Sequence, residues 1–323
     1  MLMNTLSAMA LGLVLNMMIG KPNIFINFEN HMISTAKRME NFIKSRYQES
    51  PEAQSMAGTA MVFFMLLIFA GIPLILIILA YIFVPVLGII IETILFWFTL
   101  NIKNTRISAY NIMRCVRSGR LSEAQKRLTK MTGEDCSELD ADAIIKTTIE
   151  KISDRCINGG FSPIFYMALF GGFGAIFYKT VCVLNGEANR NKENYVDFGN
   201  GIKALWNLLG DIPARIGAFV LKTDVKILSL DIVNARKIYN RDHKDCSPAF
   251  LGHARSVIAG ALGIELNHEE YYDGMIMRKR SIGCAKKPYE TTDIYWANQL
   301  FYGSIFIFFA IFAVSRFLLF LIF

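Results

Sequence analysis

From Met56 to Leu100 the chain carries one charged side chain, Glu92, in a run far longer than a soluble core helix needs. A helical bilayer crossing takes about 20 apolar residues, and only helices and closed barrels satisfy their own backbone polar groups in lipid. The run therefore predicts two membrane helices, and Pro73 and Pro85 are the places where it can break. A turn near Pro85 leaves workable lengths on both sides, Met56 to Phe83 and Val86 to Leu100. Glu92, alone in such surroundings, is expected to be a buried hydrogen-bonding partner for another helix.

Two more apolar segments bracket the chain. Leu2 to Ile19 has the length of one crossing. No basic residue precedes it and no small-x-small cleavage site follows it, so a retained helix is expected in place of a signal peptide. Ala297 to Phe323 is the last span, with Arg316 able to snorkel or pair. Composition agrees: 53% of residues are hydrophobic and only 19% charged, with mean hydropathy +0.36, too apolar for an ordinary soluble enzyme.

Between these spans lies a polar block, Asn101 to Trp296, interrupted by Phe161 to Leu184. The interruption is long enough to cross, yet it holds Pro163, Gly171, Gly172, Gly174 and Lys179, which suit a re-entrant or broken helix. Charge bias favours the re-entrant form. Gly20 to Ser55 carries five Lys/Arg and Asn101 to Gly160 carries eleven, which one topology satisfies: N-terminus outside, tight outer turn at Pro85, basic loops inside. A full crossing at 161–184 would put the sixteen Lys/Arg of Asn185 to Tyr295 outside, although that stretch also carries fourteen acidic residues. The remaining pattern is helical. Arg106 to Met131 spaces its apolar residues by three and four, with a restart at Ser122 and Glu123 after Gly119, and Asp140 caps a helix over Ala141 to Ile152. With no repeat or flexible linker, the expectation is an all-α, polytopic membrane protein: one membrane-embedded domain over 1–323, with amphipathic and re-entrant segments forming a cytoplasm-facing region.

Several functions are excluded. The net charge of +7 is spread through connecting segments with no nucleic-acid-reading motif. The six cysteines stand apart and the four histidines lack ligand spacing, which removes a zinc site and suits a reducing compartment.

Three segments are denser in Gly, Pro and polar residues than packing requires. Thr132 to Ile144 gathers Glu134, Asp135, Glu138, Asp140 and Asp142, which could hold Mg²⁺ through one or two ligands; a solvated turn with helix caps explains the same residues. In Gly199 to Phe219, Asp211 and Arg215 lie four apart at a helix start, placed to pair or to hold a phosphate or carboxylate. His243 to Gly274 contains Gly260, Ala261 and Gly263, which permit close approach of a helix or a ligand.

The order of these segments resembles the adenosylcobinamide-phosphate synthase family of cobalamin biosynthesis, known as CobD or CbiB. MTGEDCSELDADAIIKTTIEKISDR is similar to the family stretch V-G-R-D-T, Leu-Asp and a helix ending E-T-x-A-E-N. SPIFYMALFGGFGAIFYKTVCVLN resembles its A-P-L-F-Y, G-G-x-P-G-A and N-T-L-D run, and Tyr195 with Phe198 and Gly199 its Y-x-x-F-G. IPAR at Ile212 to Arg215, Ser247 with Pro248, AGALG at Ala259 to Gly263, and Tyr272 with Gly274 complete the series. The resemblance implies an amide-forming ligase joining the propionate carboxylate of adenosylcobyric acid, a corrinoid, to an amino-alcohol phosphate with ATP and Mg²⁺. By that resemblance Asp135, Asp140, Glu150, Lys179 and Arg215 are the catalytic candidates, with Mg²⁺ on Asp135 and Asp140. Tyr178, Asp211, Ser247 and Gly260 are the substrate-binding ones. Partners expected on the same ground are the bilayer, a second copy, or other membrane proteins of the pathway.

The departures from the family pattern cluster on polar positions. Glu134 replaces its Arg, Asp154 and Arg155 stand for the acid and amide of A-E-N, and Asn158 and Asn185 replace Asp. Trp206 and Asn207 replace paired acids, Ala249 an Asn, and Arg255 a Glu in an alignment open to a one-residue shift. Two readings stay open: a divergent working synthase, or a paralogue that kept the fold and serves as a corrinoid-binding or partner subunit. A transporter is the third, disfavoured by the absence of an inverted repeat and by few intramembrane ionisable residues beyond Glu92, Lys179 and Arg316.

Overall fold

The structure is a computed structural model that describes residues 2–44, 51–190, 199–266, 269–272, 275–278 and 281–322. The expected Y-x-x-F-G match at Tyr195 and Phe198, and the Gly274 of the last match, lie outside the described residues. In chain order the helices are α1 (Leu2–Met18), α2 (Asn23–Lys44), α3 (Pro51–Leu66), α4 (Ile72–Phe83), α5 (Pro85–Thr99), α6 (Ile102–Arg117) and α7 (Leu121–Thr132). There follow α8 (Ala141–Cys156), α9 (Ser162–Arg190), α10 (Asn200–Ile227), α11 (Ile232–Asp242), α12 (Ala249–Leu262) and α13 (Thr291–Ile322). Four short strands lie before α13: β1 (Glu265–Leu266), β2 (Glu269–Tyr272), β3 (Met275–Arg278) and β4 (Ile282–Gly283), pairing antiparallel as β1 with β4 and β2 with β3.

Among the described residues five stretches are long and apolar enough to cross a membrane: Ser55–Phe83, Pro85–Arg117, Ala141–Ala188, Asn200–Ile227 and Thr291–Ile322. The protein is therefore a multi-pass membrane protein. Asn4–Met18 and Asn23–Ile43 form a pair bent by 106°, either a broken span or a re-entrant loop. The helix Asn200–Ile227 differs from the sequence reading, which placed it among the polar regions. It is less apolar than Ser55–Phe83, and Lys203, Asp211, Arg215 and Lys222 interrupt its apolar residues. Asn23–Lys44, read from sequence only as a basic connection, is likewise helical.

The chain divides into two compact units. The first comprises Met1–Asn101, Ser162–Leu209 and Phe312–Phe323. Its α4–α5 turn falls where Pro85 predicts it: Val84 is extended, and Pro85 opens α5 at a position whose N–H has no helical acceptor. Within α9 the helix breaks at Gly171, with φ 65° and ψ −157°. An unbroken helix would give the Gly172 N–H to the Ala168 carbonyl. Here that N–H donates to buried Glu92 Oε1 at 3.0 Å, and the Ala168 carbonyl accepts from Arg316 Nε at 2.5 Å. Tyr81 donates its hydroxyl to Glu92 Oε2 at 2.9 Å. An acid and a base from two other helices thus satisfy the donor and acceptor freed by the break, which is what makes it tolerable in an apolar interior.

The second unit comprises Ile102–Phe161 and Gly210–Ile311. Helices α11 and α12 pack so closely that a Cβ on Gly260 would stand 2.7 Å from Ala235 Cα, and Asn234 Nδ2 donates to the Gly260 carbonyl at 2.6 Å. α12 also packs on α8, where Arg255 Nε and Nη2 donate to the two Asp154 oxygens, each at 2.8 Å. Arg255 is buried and Asp154 half-buried. Asp242 fixes the β1–β4 clasp by accepting from the Gly283 N–H at 2.7 Å. The Arg241 guanidinium beside it holds its carboxyl below the usual range, against the opposing effect of burial.

Candidate functional site

Asp211, Arg215 and Lys222 are spaced at i, i+4 and i+11 on α10, which puts them on one face of the helix. Tyr239 lies in the last turn of α11 and His243, four residues on, caps its C-terminus, while His253 sits in the second turn of α12. The close approach of α10 and α12 in this unit depends on Gly210, where a Cβ would stand 2.6 Å from the Phe250 ring. These elements line a solvent-open cavity of about 360 Å³ bounded by Asp211, Arg215, Tyr239, His243, Lys244, Ala249 and His253.

Its wall is ordered by ring contacts and hydrogen bonds. Tyr239 stacks on His243 with centroids 4.7 Å apart, His243 lies 5.1 Å from His253, and the His243 ring nitrogen Nδ1 is 2.7 Å from the Tyr239 carbonyl. The Tyr239 hydroxyl is 3.0 Å from His253 Nδ1, and Lys222 Nζ lies 3.9 Å from the Tyr239 ring centroid. Arg215 Nη2 pairs with Asp211 Oδ2 at 2.9 Å. Burial lowers the His253 pKa to about 4, helped by the charge of His243 and, after the opposing effect of Asp211, by Arg215 and Lys222. Near neutral pH the wall therefore presents a neutral imidazole, at least two cations and one carboxylate. Such a set suits a phosphate or carboxylate on the cations and an ammonium on Asp211.

The other expected residues are placed differently. Ser247 is exposed, two residues before the cavity-lining Ala249, and Gly260 serves the α11–α12 contact. Asp140 Oδ1 caps α8 by accepting from the Ala143 N–H at 2.8 Å. Asp135 Oδ1 accepts from the Ser137 N–H at 3.0 Å on the rim of a hollow of about 300 Å³ shared with Ser122, Gln125, Lys126, Thr129 and Ser137. Glu150 is buried within α8. Tyr178 and Lys179 belong to the first unit, where Tyr178 is fully buried and stacks on Tyr166 with centroids 5.4 Å apart. Lys179 shares Glu29 with Lys21 beside the Phe98 ring. Among the described residues no group of three or more His, Cys, Asp or Glu side chains is arranged to hold a metal ion.

Tyr239, His243, Lys244 and His253 were not singled out as site residues in the sequence. The signal available was the i, i+4 pair of Tyr239 and His243, with a second histidine ten residues on, inside a segment already marked as polar-rich.

A family model described as CobD/Cbib protein matches residues 9–301. The chain belongs to the CobD/CbiB family. Relatives within it include the Cobalamin biosynthesis protein CobD of Clostridium perfringens, 29% identical over 290 residues that cover 90% of this chain and 91% of that one. The protein of the same name from Streptococcus sanguinis is 30% identical over 220 residues, 68% and 70% of the two chains. That of Listeria monocytogenes serotype 4b is 31% identical over 212 residues, 66% and 67%. No solved structure matches the chain. CobD/CbiB membership covers both units, so the α10–α12 cavity lies within the matched region.

Proposed function

We propose that this chain acts in cobalamin biosynthesis as a membrane synthase, joining a corrinoid carboxylate to the amine of an amino-alcohol phosphate through an ATP-dependent amide bond. The observation that carries the reading is the second-unit cavity, which places Arg215 and Lys244 beside Asp211 in a chain of the CobD/CbiB family. The substrate amine bears a phosphate at one end and an ammonium at the other. Arg215 and Lys244 hold the phosphate, and Asp211 orients the ammonium. The neutral His253 ring faces the same space.

A carboxylate is a poor acyl donor until it is phosphorylated, and bound Mg-ATP supplies that phosphoryl group. A Mg²⁺ ion accompanying the nucleotide would be held through one or two carboxylates. Asp135 fits this role, being exposed at the rim of its hollow. Asp140 fits less well, since one of its oxygens closes the N-terminus of α8. The polar regions around these residues face the cytoplasm, in keeping with their Lys/Arg content.

The reading is tested in a host that lacks its own family member and needs a complete cobamide to grow. Expression of this chain restores cobamide production, and the Arg215→Ala variant, made to the same level in the membrane, does not. Failure of the wild-type chain, when present in the membrane at normal level, would favour the partner-subunit reading.

A further inference from the structure

The cavity wall is more positive than negative, yet its buried imidazole stays uncharged. Groups around His253 are Asp211, Arg215 and Lys222 from α10, Tyr239 from α11, and His243 and Lys244 just beyond α11. Only Asp211 among them favours a proton on the ring, and its Oδ1 stands 4.0 Å from His253 Nε2, too far for a hydrogen bond. At the other nitrogen the Tyr239 hydroxyl, 3.0 Å away, fixes the ring plane. That leaves Nε2 as the nitrogen nearest the carboxylate and the space before it.

We propose that this cavity binds a phosphomonoester-class dianion together with one proton, the anion on Arg215 and Lys244 and the proton on His253 Nε2. The inference rests on the phosphate-holding role given to the cavity above and adds a coupled proton. A dianion seated between Arg215 and Lys244 reverses the local field at the ring. The cations that opposed protonation are then compensated, and the anion itself attracts the imidazolium. With Nδ1–H donating to the Tyr239 oxygen, Nε2 carries the free lone pair, and the proton comes from solvent and adds there; no bond in the ligand forms or breaks. Because coupling is reciprocal, protonation tightens the anion as much as the anion favours protonation. In the empty cavity burial and the surrounding cations hold the ring's pKa down at about 4, so near neutrality the empty site has a proton to gain.

The test uses the full-length protein in detergent with sulfate as probe, an anion whose own charge does not change near neutrality. Calorimetric titration in two buffers of different ionisation enthalpy counts protons. The expected result at pH 6 is uptake approaching about one proton per sulfate, with affinity rising as pH falls, by at most about tenfold per unit. His253→Gln binds sulfate without uptake. His243→Gln, which removes a neighbour opposing the charge, shifts uptake to higher pH and keeps the proposal testable if His253→Gln does not fold. Sulfate binding without proton uptake, or uptake that persists unchanged in His253→Gln, overturns the inference and leaves the amide-forming reading standing. Proton-coupled binding without any amide product does the reverse. O-phosphoethanolamine is expected to displace the sulfate; displacement by dihexanoyl phosphatidic acid alone would assign the cavity to a lipid headgroup and overturn its assignment to a soluble phosphoester.

Discussion

Glu92 Oε1 accepts the Gly172 backbone N–H at 3.0 Å, across eighty residues of sequence and inside an apolar helix cluster. The bond exists because α9 breaks at Gly171, whose positive φ suits a residue without a Cβ. Glu92→Leu removes the acceptor and leaves that N–H unmet in a buried, apolar setting. A loss of about 1–3 kcal/mol is expected, read as a lower thermal midpoint in detergent, with Glu92→Gln milder because its amide oxygen still accepts. Gly171→Ala meets two obstacles, the strained φ of +65° and a Cβ 2.5 Å from Glu92 Oε1, and should cost a comparable amount.

Arg255 and Asp154 form the ion pair that ties α12 to α8, with the guanidinium buried. Burial works against the Arg255 charge, but the carboxylate and its two hydrogen bonds hold the guanidinium pKa above its ordinary value. Arg255→Met removes the guanidinium that compensates the half-buried Asp154 carboxylate, and a destabilisation of about 2–4 kcal/mol is expected. Combining it with Asp154→Leu should recover most of that loss. A double-mutant cycle on chemical unfolding in detergent checks the coupling; purely additive effects would contradict the pair's assigned role.

Protonation of His253 gives a pH signature in the absence of ligand. Its folded pKa is lowered to about 4 from an unfolded value of about 6.5. Between these values the unfolded chain binds a proton that the folded chain refuses. The contribution is therefore fully present above pH 6.5 and is lost as pH falls toward 4. The thermal midpoint of the wild-type protein should fall across that window, and that of His253→Gln should fall less.

Cys284 is exposed while Cys115, Cys136, Cys156 and Cys246 are buried. A membrane-impermeant maleimide is expected to label Cys284 in inverted vesicles and not in right-side-out ones. The opposite pattern would place the β1–β4 clasp outside the cell and reverse the orientation drawn from the Lys/Arg content.

Much of this architecture is legible in the residues. Val84 and Pro85 mark a turn that local backbone chemistry enforces, Asp140 announces the start of α8, and the Gly171–Gly172 pair marks the break in α9. These features are local, so sequence alone carries them. Asn200–Ile227 was less legible because its charged face lines the cavity of its unit and dilutes the apolar signal of the whole helix. The same holds for the site. Asp211 and Arg215 announced themselves as a helical pair, whereas His253 gains its meaning from Tyr239 and His243 on another helix, a juxtaposition set by packing at Gly260 and Gly210. Asp140, Glu150 and Gly260 were drawn as site residues from family resemblance, and their contacts here are a helix cap, a buried helix position and a helix–helix contact.

Amide formation by the purified protein is the most direct measurement. Adenosylcobyric acid, an amino-alcohol phosphate and Mg-ATP are incubated with the detergent-solubilised chain, and the corrinoid product is followed by mass. The expected result is a product heavier by the amine less one water, reduced at least about a hundredfold in Arg215→Ala and Asp211→Ala while both variants keep the wild-type thermal midpoint. Product formed at the wild-type rate by those two variants would contradict the assignment of the α10–α12 cavity as the place where the amine is held.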